Sequence, residues 1–259
     1  MRRILVLGLS RSGNHGIIGW IGNQLEGKTQ LYNNCNENLH PTSIQSWGEG
    51  KVQNRIYSLE NFDLEGYNTL SFVNPPNGKN YFQQTIIVVR DPYNWIASSL
   101  KKGGKQSILS KPYKNEMFSR LDPLMPYSPY FGETKSRIDL FYQYMEQILG
   151  NFNLLKGSDT YLDINYNEWF SNIKYRKKIA EKLNIVFTDK GIESVSKHGS
   201  GSSFDKLNYD GKASKMDVLH RWKEYKNNAK FIELTKNNKI DLYTKKYFKK
   251  IKIKLGEAK

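Results

Sequence analysis

The stretch at residues 3–15, RILVLGLSRSGNH, decides how the chain begins to fold. Its first seven residues, 3–9, are almost continuously apolar, which is typical of a parallel strand buried on both faces. A Gly/Ser turn follows, and apolar residues then recur at helical spacing: Ile17, Ile18, Ile21 and Leu25. A strand, a glycine turn and a helix in this order predict the opening of a βαβ unit.

Later segments extend this pattern. Residues 85–89 (TIIVV) are strongly strand-like, and Asp91-Pro92 after them suit a helix start, because Asp is a good N-cap and Pro fits the first turn. Further strands are predicted at 56–59, 69–73 and 160–164, helices at 138–148, 169–183, 189–197, 214–225 and from 230 onward, and a long loop at 101–131. We therefore expect one α/β domain over residues 1–259, with a mostly parallel, P-loop-type sheet flanked by helices.

The composition narrows the classes of function that the protein can have. The formal net charge of +15 indicates an anionic partner, either a multiply charged nucleotide or an acidic glycan. Nucleic acid is disfavoured, because no nucleic-acid-binding motif accompanies the charge. The single cysteine, Cys35, excludes an internal disulfide, and no stretch approaches the ~20 apolar residues of a membrane span. A cytoplasmic protein is expected.

Residues 8–15 (GLSRSGNH) have the Gly-x4-Gly frame of a phosphate-binding loop, set between a strand and a helix. Gly8 and Gly13 allow the backbone to turn its N–H groups toward an anion, and the helix adds its positive N-terminal end. Nucleotide triphosphatases carry Lys-Ser or Lys-Thr after the second glycine, to hold Mg²⁺. Here those positions are Asn14 and His15, and the cation is Arg11, so ATP or GTP hydrolysis and a metal site are disfavoured.

A second motif follows the strand at 85–89. Arg90 stands at the end of this strand, and Ser98 lies eight residues later in the predicted helix. A long guanidinium reaching over the helix and a hydroxyl in its second turn can hold one phosphate from two sides.

Together the two motifs resemble the donor site of sulfotransferases that use 3′-phosphoadenylyl sulfate (PAPS). By that resemblance, Arg11 contacts the bridging and sulfuryl oxygens of the donor. The loop that cradles the 5′-phosphate is formed by Ser12, Gly13, Asn14 and His15. Arg90 and Ser98 bind the 3′-phosphate, which distinguishes this donor from ATP.

Two weaker features belong to the same resemblance. The family closes its donor site with a late glycine-containing loop, and residues 197–204 stand at a suitable place for it, with Gly199, Ser200, Gly201 and Ser202 as the predicted contacts. Tyr166 follows a predicted strand, as does the tyrosine that contacts adenine in relatives. A core position for Tyr166 is the alternative.

Acceptor activation needs a general base near the acceptor hydroxyl. Four residues are candidates: His15, His40, Glu49 and Glu60. His15 is favoured by its place in the loop, although it also suits a purely structural role there. The expected reaction is in-line sulfuryl transfer to a hydroxyl, with no metal and no covalent enzyme intermediate, and a polar surface favours a glycan acceptor over a steroid or phenol. The alternatives are a P-loop kinase-like enzyme and a basic nucleic-acid-binding protein.

Overall fold

A six-stranded sheet organises the part of the chain that the computed structural model describes, residues 1–36, 38–60, 81–109, 136–149, 161–197 and 201–248. Its strands are β1 (Arg2–Gly8), β2 (Lys28–Asn33), β3 (Ser43–Trp47), β4 (Val52–Glu60), β5 (Gln84–Val89) and β6 (Tyr161–Asn165). They lie in the order β3-β2-β4-β1-β5-β6. Every neighbouring pair is parallel except β2 and β3. The expected α/β fold with a mostly parallel sheet is confirmed.

Helices cover both faces of this sheet. They are α1 (Asn14–Gly22), α2 (Pro92–Leu109), α3 (Arg137–Leu149), α4 (Tyr166–Ser171), α5 (Ile173–Lys182), α6 (Ala229–Thr235) and α7 (Asn238–Tyr247). On one face, Ile4 and Val6 of β1 pack in a cluster with buried residues of α1, α4 and α5. On the other face, Leu5 and Leu7 pack with α2, α3, α6 and α7. None of the helices in the described ranges is long and apolar enough to cross a membrane.

The amphipathic patterns predicted helices correctly where the apolar residues are buried in the core. The predicted face of α3, Ile138, Phe141, Met145 and Ile148, is buried throughout. The predicted N-cap of α2 is also confirmed, because Asp91 Oδ1 accepts a hydrogen bond from the backbone N–H of Asn94 at 2.9 Å. The predicted strand at 69–73 lies outside the described residues.

The predicted loop at 101–131 is wrong in its first part, because α2 continues to Leu109. The two glycines at 103 and 104 suggested a break. Each costs a helix only about 1 kcal/mol relative to alanine, and the next proline is Pro112. A helix anchored by buried Ile96 and Leu100 therefore extends through them. The remainder of the predicted loop lies outside the described residues.

The predicted helix at 189–197 is also wrong, since this segment is a turn at 190–193 followed by irregular backbone. Asp189 and Gly191 both have left-handed backbones, with φ of 56° and 87°. The carboxylate of Asp189 accepts from the Arg176 guanidinium at 2.8 Å and from Trp20 Nε1 at 2.8 Å. These side-chain bonds hold the segment as a turn. The helix predicted at 214–225 is reduced to two 3₁₀ helices, Ala213–Lys215 and Arg221–Tyr225.

Strands β2 and β3 carry no clear hydrophobic pattern and were not predicted. The buried positions of β2 are Thr29, Leu31 and Asn33, so only one of the three is apolar. Thr29 Oγ1 accepts from Asn54 Nδ2 at 3.3 Å, and Asn33 Oδ1 bonds His15. Polar partners therefore replace the apolar contacts that sequence periodicity detects.

Candidate functional site

A cavity of ≈ 200 Å³ opens where the parallel strands end. Its wall includes Arg11 after β1, Glu60 at the end of β4, Arg90 after β5 and Tyr166 after β6. Because the carboxyl ends of parallel strands meet at one edge of the sheet, residues distant in sequence converge there. Segments between residues 192 and 221 complete the wall.

Most of the predicted site residues lie around this single cavity. The lining includes Arg11, Gly13, Asn14, His15, Arg90, Ser98, Tyr166, Gly201 and Ser202. Ser12 belongs to the loop but is buried away from the cavity, and its backbone N–H donates to Leu9 O at 3.1 Å. Gly199 and Ser200 lie outside the described residues. Of the four candidate bases, His15 and Glu60 line the cavity, whereas His40 and Glu49 are exposed elsewhere.

The phosphate loop has a specialised backbone. Arg11 adopts a left-handed conformation with φ 72°, which is uncommon for a residue other than glycine. Gly13 has φ 88°, and a Cβ added there would collide with the ring of Tyr166. Trp95 of α2 donates from Nε1 to Ser10 O at 2.8 Å and so ties the loop to the second motif. The left-handed backbone at Arg11 is the kind of local strain that structures retain at functional sites.

Helix α1 begins directly after this loop. No side chain in the described ranges caps its N-terminus, and no acidic residue stands in its first turn. Its positive end lies at the cavity, where the Glu60 carboxylate stands beside Asn14 and His15 of the first turn.

A polar cluster lies beside the loop, on the α1 side of the sheet. Asn14 Nδ2 donates to Glu60 Oε1 at 3.2 Å, and His15 Nε2 lies 4.0 Å from the same oxygen. His15 Nε2 is also 2.8 Å from Asn33 Oδ1, which accepts from Ser58 Oγ at 3.2 Å. A hydrogen bond to this amide oxygen requires the proton of His15 on Nε2, because the oxygen can only accept. The carboxylate of Glu60 only accepts, and a His15 with its proton on Nε2 keeps Nδ1 as an acceptor, so both residues stay candidates for the base.

The second motif is organised around Arg90, which is buried. Its guanidinium carbon lies 3.9 Å from the centre of the Tyr166 ring, and its Nη2 donates to Val218 O at 3.1 Å. Its Nε is buried without a hydrogen-bond partner among the described residues, and Asp91 Oδ2 is 3.8 Å away. Ser98 is buried nearby in the same lining. A buried Nε without an acceptor fits a site that takes an anion.

Arg221 lines the same cavity and was not predicted from the sequence. Its Nη2 donates to Ser202 Oγ at 2.8 Å and to Asp205 Oδ2 at 2.6 Å. Burial lowers the pKa of this guanidinium, and the nearby charge of Arg90 acts in the same direction. The wall of the cavity thus carries two guanidinium groups, Arg90 beside Asp91 and Arg221 paired with Asp205. No motif surrounds Arg221, so only its position in the fold reveals it.

Tyr166 joins the two halves of the cavity. It contacts Gly13 of the phosphate loop at the ring edge, and the Arg90 guanidinium lies over its face. The ring also stands near Trp169 and Phe170, at centroid distances of 5.4 and 6.2 Å. It is therefore both a core residue and a wall of the cavity, so the two alternatives for Tyr166 are compatible.

Comparisons with known proteins add a similarity of overall structure. No protein-family model matches the chain, and no curated protein matches its sequence. Among solved structures, the chain is similar to mouse sulfotransferase SULT7A1 complexed with PAP, at 16% identity and a TM-score of 0.46. The match covers 95% of this chain and 84% of that chain. What this chain does has therefore to be inferred from the residues of the cavity.

Proposed function

We propose that this chain is a sulfotransferase that transfers a sulfuryl group from PAPS to an acceptor hydroxyl. The observation that carries the proposal is that one cavity contains two cationic groups of residues. The first is Arg11 with the phosphate loop, and the second is Arg90 with Ser98 and Arg221. A donor with phosphates on both the 5′ and the 3′ side presents two anionic groups, and each has a matching set of residues here.

The residues present fit such a donor. The buried Nε of Arg90, and the position of Arg90 and Arg221 in one cavity wall, support binding of a phosphate at the second group. The loop supplies no hydroxyl next to a lysine that would hold Mg²⁺, which speaks against the kinase-like alternative. Within the described ranges, no three His, Cys, Asp or Glu side chains cluster as metal ligands. Independence of metal stays a prediction.

In the proposed reaction, the donor supplies the sulfuryl group and the chain supplies charge and a base. Arg11 and the N–H groups of the loop stabilise the negative charge that develops on the leaving 5′-phosphate. Glu60 accepts the proton of the acceptor hydroxyl, since its carboxylate lies in the cavity wall beside the loop. His15, whose Nε2–H points to Asn33, holds this end of the cavity in place next to Glu60.

The class of acceptor is proposed from the same polar end of the cavity. Asn14, His15 and Glu60 favour a hydroxyl-rich acceptor, such as a glycan, over a steroid or phenol. The cytoplasmic location remains a prediction from the sequence.

The donor assignment is tested by calorimetry with 3′-phosphoadenosine 5′-phosphate (PAP) and with 5′-AMP. We expect the chain to prefer PAP. Arg90→Ala should weaken PAP binding by about 10- to 150-fold, the range of a lost charge-assisted hydrogen bond, while AMP binding changes little. Arg55→Ala, which removes an arginine outside the cavity, is the matched control and should leave both affinities unchanged. Equal affinity of the wild type for the two nucleotides would contradict the proposal.

A further inference from the structure

Arg221 is presented to the cavity by a segment with little regular structure of its own. The residues before it form turns, and it begins the short 3₁₀ helix Arg221–Tyr225. The residue in the N-cap position, His220, makes no side-chain capping bond to this helix. The first N–H groups of a helix need acceptors from elsewhere. The guanidinium of Arg221 is bonded by Ser202 and Asp205, but these contacts leave the backbone from which the side chain starts without a cap.

Asn94 of α2 bonds this backbone. Its Oδ1 accepts from the backbone N–H of Trp222 at 3.2 Å, and its Nδ2 donates to Leu219 O at 2.8 Å. The amide thus bonds the backbone on both sides of Arg221. It acts as a cap supplied from another element, because it satisfies an N–H of the first helical turn.

The orientation of Asn94 is fixed in turn. The side chain is fully buried, and its Nδ2 lies 3.1 Å from both carboxylate oxygens of Asp91. Asp91 also caps the start of α2 through the N–H of Asn94. A side chain that donates to a carboxylate and a carbonyl while accepting from an N–H has to be an amide at this position. Asn94 itself does not line the cavity.

We propose that Asn94 is a positioning residue that holds Arg221 in the second cationic group of the cavity. The inference rests on the proposed function, in which this group binds the 3′-phosphate of the donor. Arg90 donates to Val218 O in the same segment, but it also lines the cavity, so its loss would remove two contributions at once. Asn94 bonds the segment of Arg221 directly, and it reaches Arg90 only through Asp91, whose Oδ2 lies 3.8 Å from Arg90 Nε. Its effect on binding should therefore depend on the presence of Arg221.

The test is a double-mutant cycle on nucleotide affinity in the full chain, with Asn94→Leu and Arg221→Ala. Leucine is close to asparagine in size and removes both hydrogen bonds to the segment. We expect Asn94→Leu to weaken PAP binding by about 10-fold, the low end for a charge-assisted hydrogen bond, and AMP binding by less than about 2-fold. In the Arg221→Ala background, Asn94→Leu should change PAP binding by less than about 2-fold, because sites that act through one another are not additive.

Asn94→Ser is measured in parallel, because its hydroxyl can still donate and accept and because it keeps the test possible should the leucine variant not fold. We expect it to weaken PAP binding less than Asn94→Leu does, again only when Arg221 is present. Equal weakening of PAP with and without Arg221, or equal weakening of PAP and AMP, would overturn the positioning role alone. A wild-type chain without preference for PAP would overturn the proposed function and this inference together.

Discussion

Arg11 combines a left-handed backbone with a side chain in the cavity wall. Placing a residue with a Cβ in this conformation costs about 1–2 kcal/mol. If the side chain at this position had no function, glycine would be the favoured residue. The Arg11 guanidinium donates to Ser203 Oγ at 3.2 Å, and both residues line the cavity. A cation held in this way is suited to stabilising charge that develops during a reaction.

Replacing Arg11 should therefore slow turnover more than it weakens binding. We expect Arg11→Ala to lower kcat by roughly 10²–10³-fold, the usual effect of losing one such donor, with a much smaller change in PAP affinity. Arg11→Lys should recover part of the loss, since lysine keeps the charge but not the planar fork. The measurement is steady-state release of PAP from PAPS with water as the acceptor, which needs no knowledge of the natural acceptor.

Two observations separate this role from simple attraction of an anion. Arg11→Gly removes the side chain but suits the backbone at φ 72°, so it should lose activity without losing stability in denaturant unfolding. An unchanged kcat with a raised KM that fades at high salt would instead make Arg11 only a cation that attracts the donor.

Glu60 is the residue-scale candidate for the base. Removal of a positioned general base typically costs about 10²–10⁴-fold in rate. We expect Glu60→Gln to lower kcat in this range while PAP affinity stays within about 2-fold, as glutamine keeps the acceptor oxygen for Asn14. Glu49→Gln, an exposed acid outside the cavity, is the matched control. A Glu60→Gln variant with normal kcat would return His15 to first place.

At the scale of elements, the turn from β1 into α1 depends on one close contact. Gly13 has φ 88°, and a Cβ there would collide with Tyr166, which also carries Arg90 on its ring face. Gly13→Ala should lower the free energy of unfolding by at least about 1–2 kcal/mol from the backbone alone, and more from the collision. It should also reduce PAP affinity, because moving Tyr166 disturbs both cationic groups.

The matched control lies in helix α1, which follows Gly13. A Cβ at Gly19 would meet no atom within 4 Å, so Gly19→Ala should leave the stability unchanged or raise it by up to about 1 kcal/mol. Denaturant unfolding of both variants provides the comparison. A Gly13→Ala variant as stable as Gly19→Ala would mean that the loop is not held in this conformation in solution.

At this scale, the sequence predicted the junctions between strands and helices. Their structure depends on residues that are neighbours in the chain. The β1–α1 and β5–α2 turns could be read because Gly13, Asp91 and the apolar runs beside them act locally. Strand β2 could not, since Thr29 and Asn33 are buried through polar partners from other elements.

The role of Arg221 could not be predicted from the sequence, for the same physical reason. Its place depends on the Asn94 amide, which bonds Leu219 over a separation of 125 residues. No local pattern records such a contact. The roles of all these cavity residues in donor binding and catalysis remain predictions until the variants are measured.

At the scale of the whole molecule, the net charge of +15 attracts any polyanion, including nucleic acid and ATP. Charge alone therefore cannot separate the proposed enzyme from a basic nucleic-acid-binding protein or a kinase-like enzyme. The three functions differ in whether the two cationic groups of the cavity add specific binding of a nucleotide to the general attraction of anions. Specific binding survives moderate salt, whereas phosphate-backbone binding falls steeply with salt concentration.

Thermal unfolding with PAP, ATP or a random oligonucleotide, in excess EDTA and at two salt concentrations, distinguishes the three functions. A ligand present at a hundredfold excess over its Kd stabilises the folded chain by about 2.7 kcal/mol. We expect PAP to raise the Tm at both salt concentrations without magnesium, because the loop lacks the Lys-Ser/Thr pair that would hold that ion. ATP should stabilise less, since it has no 3′-phosphate for Arg90 and Arg221, and the oligonucleotide effect should vanish at high salt.

Stabilisation by ATP that appears only when magnesium is restored would favour the kinase-like enzyme. A salt-sensitive oligonucleotide effect larger than that of PAP would favour the nucleic-acid-binding protein.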